Sequence, residues 1–185
     1  MRRKKIWTKL IVNKNKYQGG TMMSIKFYKT SKTYGEFSNF YKKRIVIGSI
    51  KYRSTEHYYQ SKKFEGTKWE EHIRTQTTPR KAADEGRRKD LPLRDDWEKV
   101  KNEIMFTALI RKFEDPALRN LLLSTEEEEL IEDSPFDYYW GCGEKGTGKN
   151  VLGKQLMALR TIIKKQKLYE KSMVRVITGI GKNDL

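Results

Sequence analysis

Helical spacing of apolar residues governs the longer segments of this chain, and only IVIGSIKY (Ile45–Tyr52) places β-branched runs on both sides of a two-residue turn pair, Gly48-Ser49. Trp97, Val100, Ile104 and Ala108 fall on one face of a helix that Asp95 or Asp96 can cap and that runs through Phe113. Leu152, Leu156, Leu159 and Ile163 do the same over Val151–Lys167. Thr78-Pro79 and Asp115-Pro116 mark two shorter helix starts, with proline at the first helical position. Ile25–Tyr28 reads as an opening strand and Val174–Thr178 as a last one. The pattern predicts a helix-rich α+β domain with a small hairpin-based sheet, since strands and helices do not alternate as βαβ units require.

A chain of 185 residues has room for one ordinary core, and ten Tyr, seven Phe and four Trp argue against disorder. The formal charge is +16, but the first 23 residues hold seven Lys or Arg and no acid, which leaves +9 for the remainder. With Gly19-Gly20 as a joint, three parts are expected: a basic extension over residues 1–23, a domain over 24–167 and a tail over 168–185. The extension is suited to nucleic acid or to anionic surfaces, and equally to keeping the chain in solution. A single cysteine, Cys142, excludes an internal disulfide and fits a reducing cytoplasmic setting. Ile6–Val12 is too short and interrupted for a signal segment, and no run of about 18 apolar residues exists, so a soluble protein without a membrane partner is expected. Two separated histidines and no ligand-spaced cluster predict neither metal nor cofactor.

The stretch YRSTEHYYQSKKF (Tyr52–Phe64) sets Glu56, Gln60 and Lys63 at spacings of four and seven, on one stripe of a helix capped by Ser54 or Thr55. Such a stripe is either a solvated face or a site. Glu56 lies in the first turn, where the helix dipole should keep it ionised. His57 points off the stripe and reads as structural. Further on, GCGEKGTGKN (Gly141–Asn150) imitates two phosphate-binding glycine patterns, yet DSPFDYYW precedes it where an apolar strand is required. What remains is a glycine-rich turn that is either a plain loop or a set of N–H groups facing an anion, with Lys145 and Lys149 beside it. Tyr138, Tyr139 and Trp140 are either core or a stacking platform, and the neighbouring Asp137 carboxylate, which needs partners if buried, favours a site. The acidic run Glu126–Glu129 reads as a solvated loop or helix end.

Four blocks in order, EFSNF (Glu36–Phe40), STEHYYQSKKF (Ser54–Phe64), PLRDDW (Pro92–Trp97) and DYYWGCG with GKNVLGKQLM (Asp137–Met157), resemble the NADAR, or YbiA-like, family over about Ile25–Lys165. That resemblance implies an N-glycosidase that cleaves the ribosyl bond of early riboflavin intermediates, the 5-phosphoribosylamino-pyrimidines. It assigns Glu56, Lys63 and Asp137 to catalysis: Glu56 as base or charge stabiliser, Lys63 as proton donor or as an amine forming a Schiff base with the opened ribose. Trp140 would stack on the base, while Asn39, Phe40, Gln60, Gly141 and Asn150 would complete the pocket. Lys145, Lys149 and the helix N-terminus near Val151 would hold phosphate. Cys142 departs from the acidic or small residue commoner at its place. Two alternatives stand beside this: removal of ADP-ribose from guanine in nucleic acid, and a non-catalytic ADP-ribose or nucleic-acid binding module. The last would have no use for Glu56 and Lys63 together.

Overall fold

Among residues 24–178, which the computed structural model describes, four short strands and six α-helices occur. The basic extension and residues 179–185 lie outside the described residues. β2 (Ile45–Ile47) and β3 (Ile50–Tyr52) form the expected antiparallel hairpin, with Ile47 opposite Ile50 and Gly48-Ser49 as the whole loop. Gly48 has φ 62, and a positive φ at the first loop position alone is the type II′ turn. Ile45 and Tyr52 then meet Tyr58 and Ala108, which docks the hairpin on α1 (Thr55–Ser61) and α4 (Trp97–Lys112).

Ser54 caps α1, its side chain accepting the His57 N–H. α2 (Lys68–Arg74), which the sequence pattern did not mark, follows a Thr67 cap. α3 (Pro79–Gly86) and α5 (Pro116–Ser124) begin at the two Thr/Asp-Pro signals, each with its cap bond made. Asp96 stands at the N-cap of α4 but makes no side-chain cap bond; its carboxylate is held by Arg94 at 2.6 Å. An arginine fork two residues away outcompetes a single amide for that carboxylate.

Two further expectations are corrected. Part of the acidic run is strand: β4 (Glu129–Glu132) pairs in parallel with β1 (Ser24–Phe27), Phe27 opposite Glu132. The last strand over Val174–Thr178 is instead the end of α6, which runs Val151–Thr178 and passes through the expected boundary at Lys167. Lys and Glu placed around Leu168 continue a helix more readily than they start a strand. The main core joins Phe27, Leu130, Phe106, Leu109, Phe113, Leu122, Leu152, Leu156 and Leu159, so β1 and β4 sit among α4, α5 and α6. Gly153 is needed there, because a Cβ would lie 2.0 Å from the Leu130 carbonyl oxygen. No described helix is long and apolar enough to cross a membrane.

Candidate active site

α1 is anchored at its start: the Glu56 N–H donates to the Asn39 carbonyl at 3.2 Å, and Thr55 Oγ1 donates to the same carbonyl at 3.0 Å. This fixes the Asn39-Phe40 loop against the face that carries Glu56 and Gln60. The helix ends at Ser61, and Lys63 follows on a 3₁₀ turn, so the expected stripe is completed by a tighter coil that still turns Lys63 to the same side. α3 closes on this face at Gly86, where a Cβ would be 2.1 Å from Gln60 Oε1. Between these elements lies a cavity of about 180 Å³. Asn39, Phe40, Glu56, Gln60, Lys63, Asp137 and Trp140 line it, joined by Tyr59, Arg87, Met105 and Glu132, which sequence reasoning did not single out.

Glu56 is buried, and its Oε1 accepts from Gln60 Nε2 at 2.7 Å. Burial raises its pKa, against the Gln60 bond and the charges of Lys63 and Arg87. Burial thus works against the helix dipole at this carboxyl: a dipole contributes about 0.3–1 kcal/mol, whereas desolvating a charge costs several. Lys63 Nζ donates to the Gly86 carbonyl at 2.9 Å and lies 5.7 Å from the ring centres of both Tyr59 and Trp97. Burial lowers its pKa to about 8, although Glu56 pulls the other way. Asp137 Oδ1 accepts the Tyr139 and Trp140 N–H groups at 2.9 and 2.7 Å, which holds the turn that presents Trp140. Trp140 packs edge-on to Tyr59 at 5.3 Å and borders the cavity, so it is core and platform at once.

Five amides at the end of the glycine-rich turn and the helix start are already paired within the loop. Gly148, Lys149, Asn150, Val151 and Leu152 donate their N–H groups to the carbonyls of Cys142, Tyr138, Gly141, Tyr139 and Trp140. Gly141, Lys149 and Asn150 do not line the cavity. Asn150 serves the fold: it takes φ 49, accepts the Glu132 N–H at 3.0 Å and donates to the Leu130 carbonyl at 2.8 Å. Asn150→Ala should therefore cost about 2–4 kcal/mol, since two buried groups of β4 lose their partners and alanine is strained at that φ. A denaturant titration checks this, and a loss below about 0.5 kcal/mol would contradict it. His57 is structural as expected, bridging Ser54 Oγ at 2.8 Å and the Gln76 carbonyl at 3.0 Å. It borders a separate open hollow of about 620 Å³ that carries Lys42, Arg44, Lys51, Arg53 and Arg74 and none of the expected site residues.

Among the described residues no group of three or more His, Cys, Asp or Glu side chains could hold a metal ion. The sequence profile of the NADAR domain matches residues 26–164. The chain belongs to the NADAR family. N-glycosidase YbiA of Escherichia coli is 47% identical over 137 residues, spanning 74% of this NADAR chain and 86% of YbiA. The NMR structure of E. coli YbiA superposes with a TM-score of 0.75 at 44% identity, over 81% of this chain and 90% of that one. A chloroplastic riboflavin biosynthesis protein of Zea mays, PYRR, is 39% identical over 155 residues, which is 75% of this NADAR chain but 25% of PYRR.

Proposed function

We propose that this N-glycosidase hydrolyses the ribosyl C–N bond of 5-phosphoribosylamino-pyrimidines in the cytoplasm, releasing ribose 5-phosphate and a free aminopyrimidine. The observation that carries the reading is the convergence of Glu56, Lys63 and Trp140 on one small cavity. Its volume of about 180 Å³ is below the roughly 300–1,000 Å³ of drug-sized sites, which suits a sugar and its reacting bond rather than a whole dinucleotide. Positive charge develops at C1′ as the bond breaks, and Glu56 faces it as a carboxylate whose basicity burial has increased. Lys63, with its pKa near 8, presents an appreciable fraction of neutral amine close to neutral pH and so can attack C1′ of the opened ribose. Trp140 offers a face to the pyrimidine, and Gln60 Oε1, buried without a partner, offers it an acceptor. Arg87, exposed at the rim, takes the role of phosphate contact that the glycine-rich turn does not fill.

The test is direct: purified protein is incubated with a 5-phosphoribosylamino-pyrimidine and, separately, with ADP-ribosylated guanine oligonucleotide. Ribose 5-phosphate from the first is expected. Release of ADP-ribose from the second alone would transfer the assignment to the nucleic-acid alternative.

A further inference from the structure

One carboxyl in the cavity has no task in the chemistry above. Glu132 is the last residue of β4, and its backbone is held on both sides: the N–H by Asn150 Oδ1 at 3.0 Å, the carbonyl by the Cys142 N–H at 2.8 Å. Gly141 passes so close that a Cβ would sit 2.9 Å from that carbonyl. A rigid strand end thus directs the side chain at the cavity, where Oε2 is buried with no hydrogen-bond partner. An orphaned carboxyl oxygen in a ligand cavity costs stability unless a ligand atom completes it.

We propose that Glu132 is the general acid of the reaction, donating its proton to the nitrogen that leaves C1′. The inference rests on the N-glycosidase reading of the same cavity. Whether water or the Lys63 amine forms the new bond at C1′, the C1′–N electron pair goes to the pyrimidine amine, which departs as a neutral group only if it gains a proton. That proton comes from the Glu132 carboxyl; the proton of the attacking water or amine goes to the Glu56 carboxylate, and solvent exchange resets both. The two carboxyls are suited to opposite roles because their surroundings differ. Burial raises the pKa of Glu56 as well, but there the Gln60 hydrogen bond and the charges of Lys63 and Arg87 favour the carboxylate. Glu132 is desolvated and faces the charges of Asp137 and Glu56, with Lys112 pulling the other way, and its pKa is pushed up to about 8. It therefore holds a proton at neutral pH.

The experiment compares kcat, KM and their pH dependence for wild type and Glu132→Gln on a 5-phosphoribosylamino-pyrimidine. Loss of kcat on the order of a hundredfold with KM changed less than about threefold is expected. Wild-type kcat should fall above about pH 8, and the variant should lack that fall. The variant should melt no lower than wild type, since an amide replaces a carboxyl that is already neutral. Wild-type kcat with the same alkaline fall in Glu132→Gln would overturn the assignment while leaving the N-glycosidase reading intact. A wild type that releases no ribose 5-phosphate would instead remove the reading on which it rests. Were Glu132→Gln to unfold, Glu132→Asp decides: a displaced alkaline fall supports the role, and one unchanged in position and rate overturns it.

Discussion

Lys63→Met is expected to lose about a thousandfold in turnover, and Glu56→Gln a hundredfold or more, with neither variant melting lower than wild type by more than a few degrees. Met keeps most of the volume between Tyr59 and Trp97 and gives up only the bond to the Gly86 carbonyl. Gln keeps the shape of Glu56 and removes a carboxylate that burial already disfavours, so its stability effect is small or positive. If Lys63 forms a Schiff base, borohydride added during turnover should fix a ribosyl adduct on wild type and on no Lys63 variant. An inactive Lys63→Met alongside an adduct-free wild type would leave Lys63 as a donor. Near-normal rates in both variants would make the stripe a packing feature and end the mechanism. The sign of the acid limb follows from Lys63: its folded pKa of about 8 means that activity depending on the neutral amine rises as pH climbs toward 8.

The parts of this architecture that were legible in the sequence are those decided by neighbours along the chain. Caps at Ser54, Thr78 and Asp115, the Gly48-Ser49 turn and the spacing of Glu56, Gln60 and Lys63 involve contacts within a few residues, and each is reproduced. What escaped depends on partners far away. β4 reads as acidic loop until β1, about a hundred residues earlier, supplies its ladder. Glu132, next to that run, could not be told from a solvated glutamate. The glycine-rich turn has an anion-binding composition, but the N–H groups of residues 148–152 are spent on the carbonyls of residues 138–142, a pairing set by how the loop folds back on itself. Arg87 belongs to a surface of many cations, and only the approach of α3 to α1 at Gly86 places it at the cavity.

The second large effect concerns stability. Lys112, in the last turn of α4, is fully buried; its Nζ donates to the Ser38 carbonyl at 2.8 Å and lies 5.6–5.7 Å from the Phe113 and Tyr41 ring centres. Burial lowers its pKa from 10.5 to about 7, against the pull of Glu36 and Glu132. A folded pKa below the unfolded one means that the unfolded chain binds the extra proton between about pH 7 and 10.5, so stability rises with pH across that window. At pH 6 both states are protonated and the full cost is present, on the order of 4–5 kcal/mol. Lys112→Met removes that cost and forfeits the bond to Ser38, worth about 1–3 kcal/mol because a buried carbonyl is left alone. The variant should therefore be more stable than wild type by about 2 kcal/mol at pH 6 and less stable at pH 10, with denaturation curves crossing between. A variant destabilised equally at both values would show that Lys112 is held charged by its surroundings. With a pKa of about 7, Lys112 is mostly neutral near pH 8 where Glu132 titrates, so the substitution should leave the alkaline fall in rate close to its wild-type position.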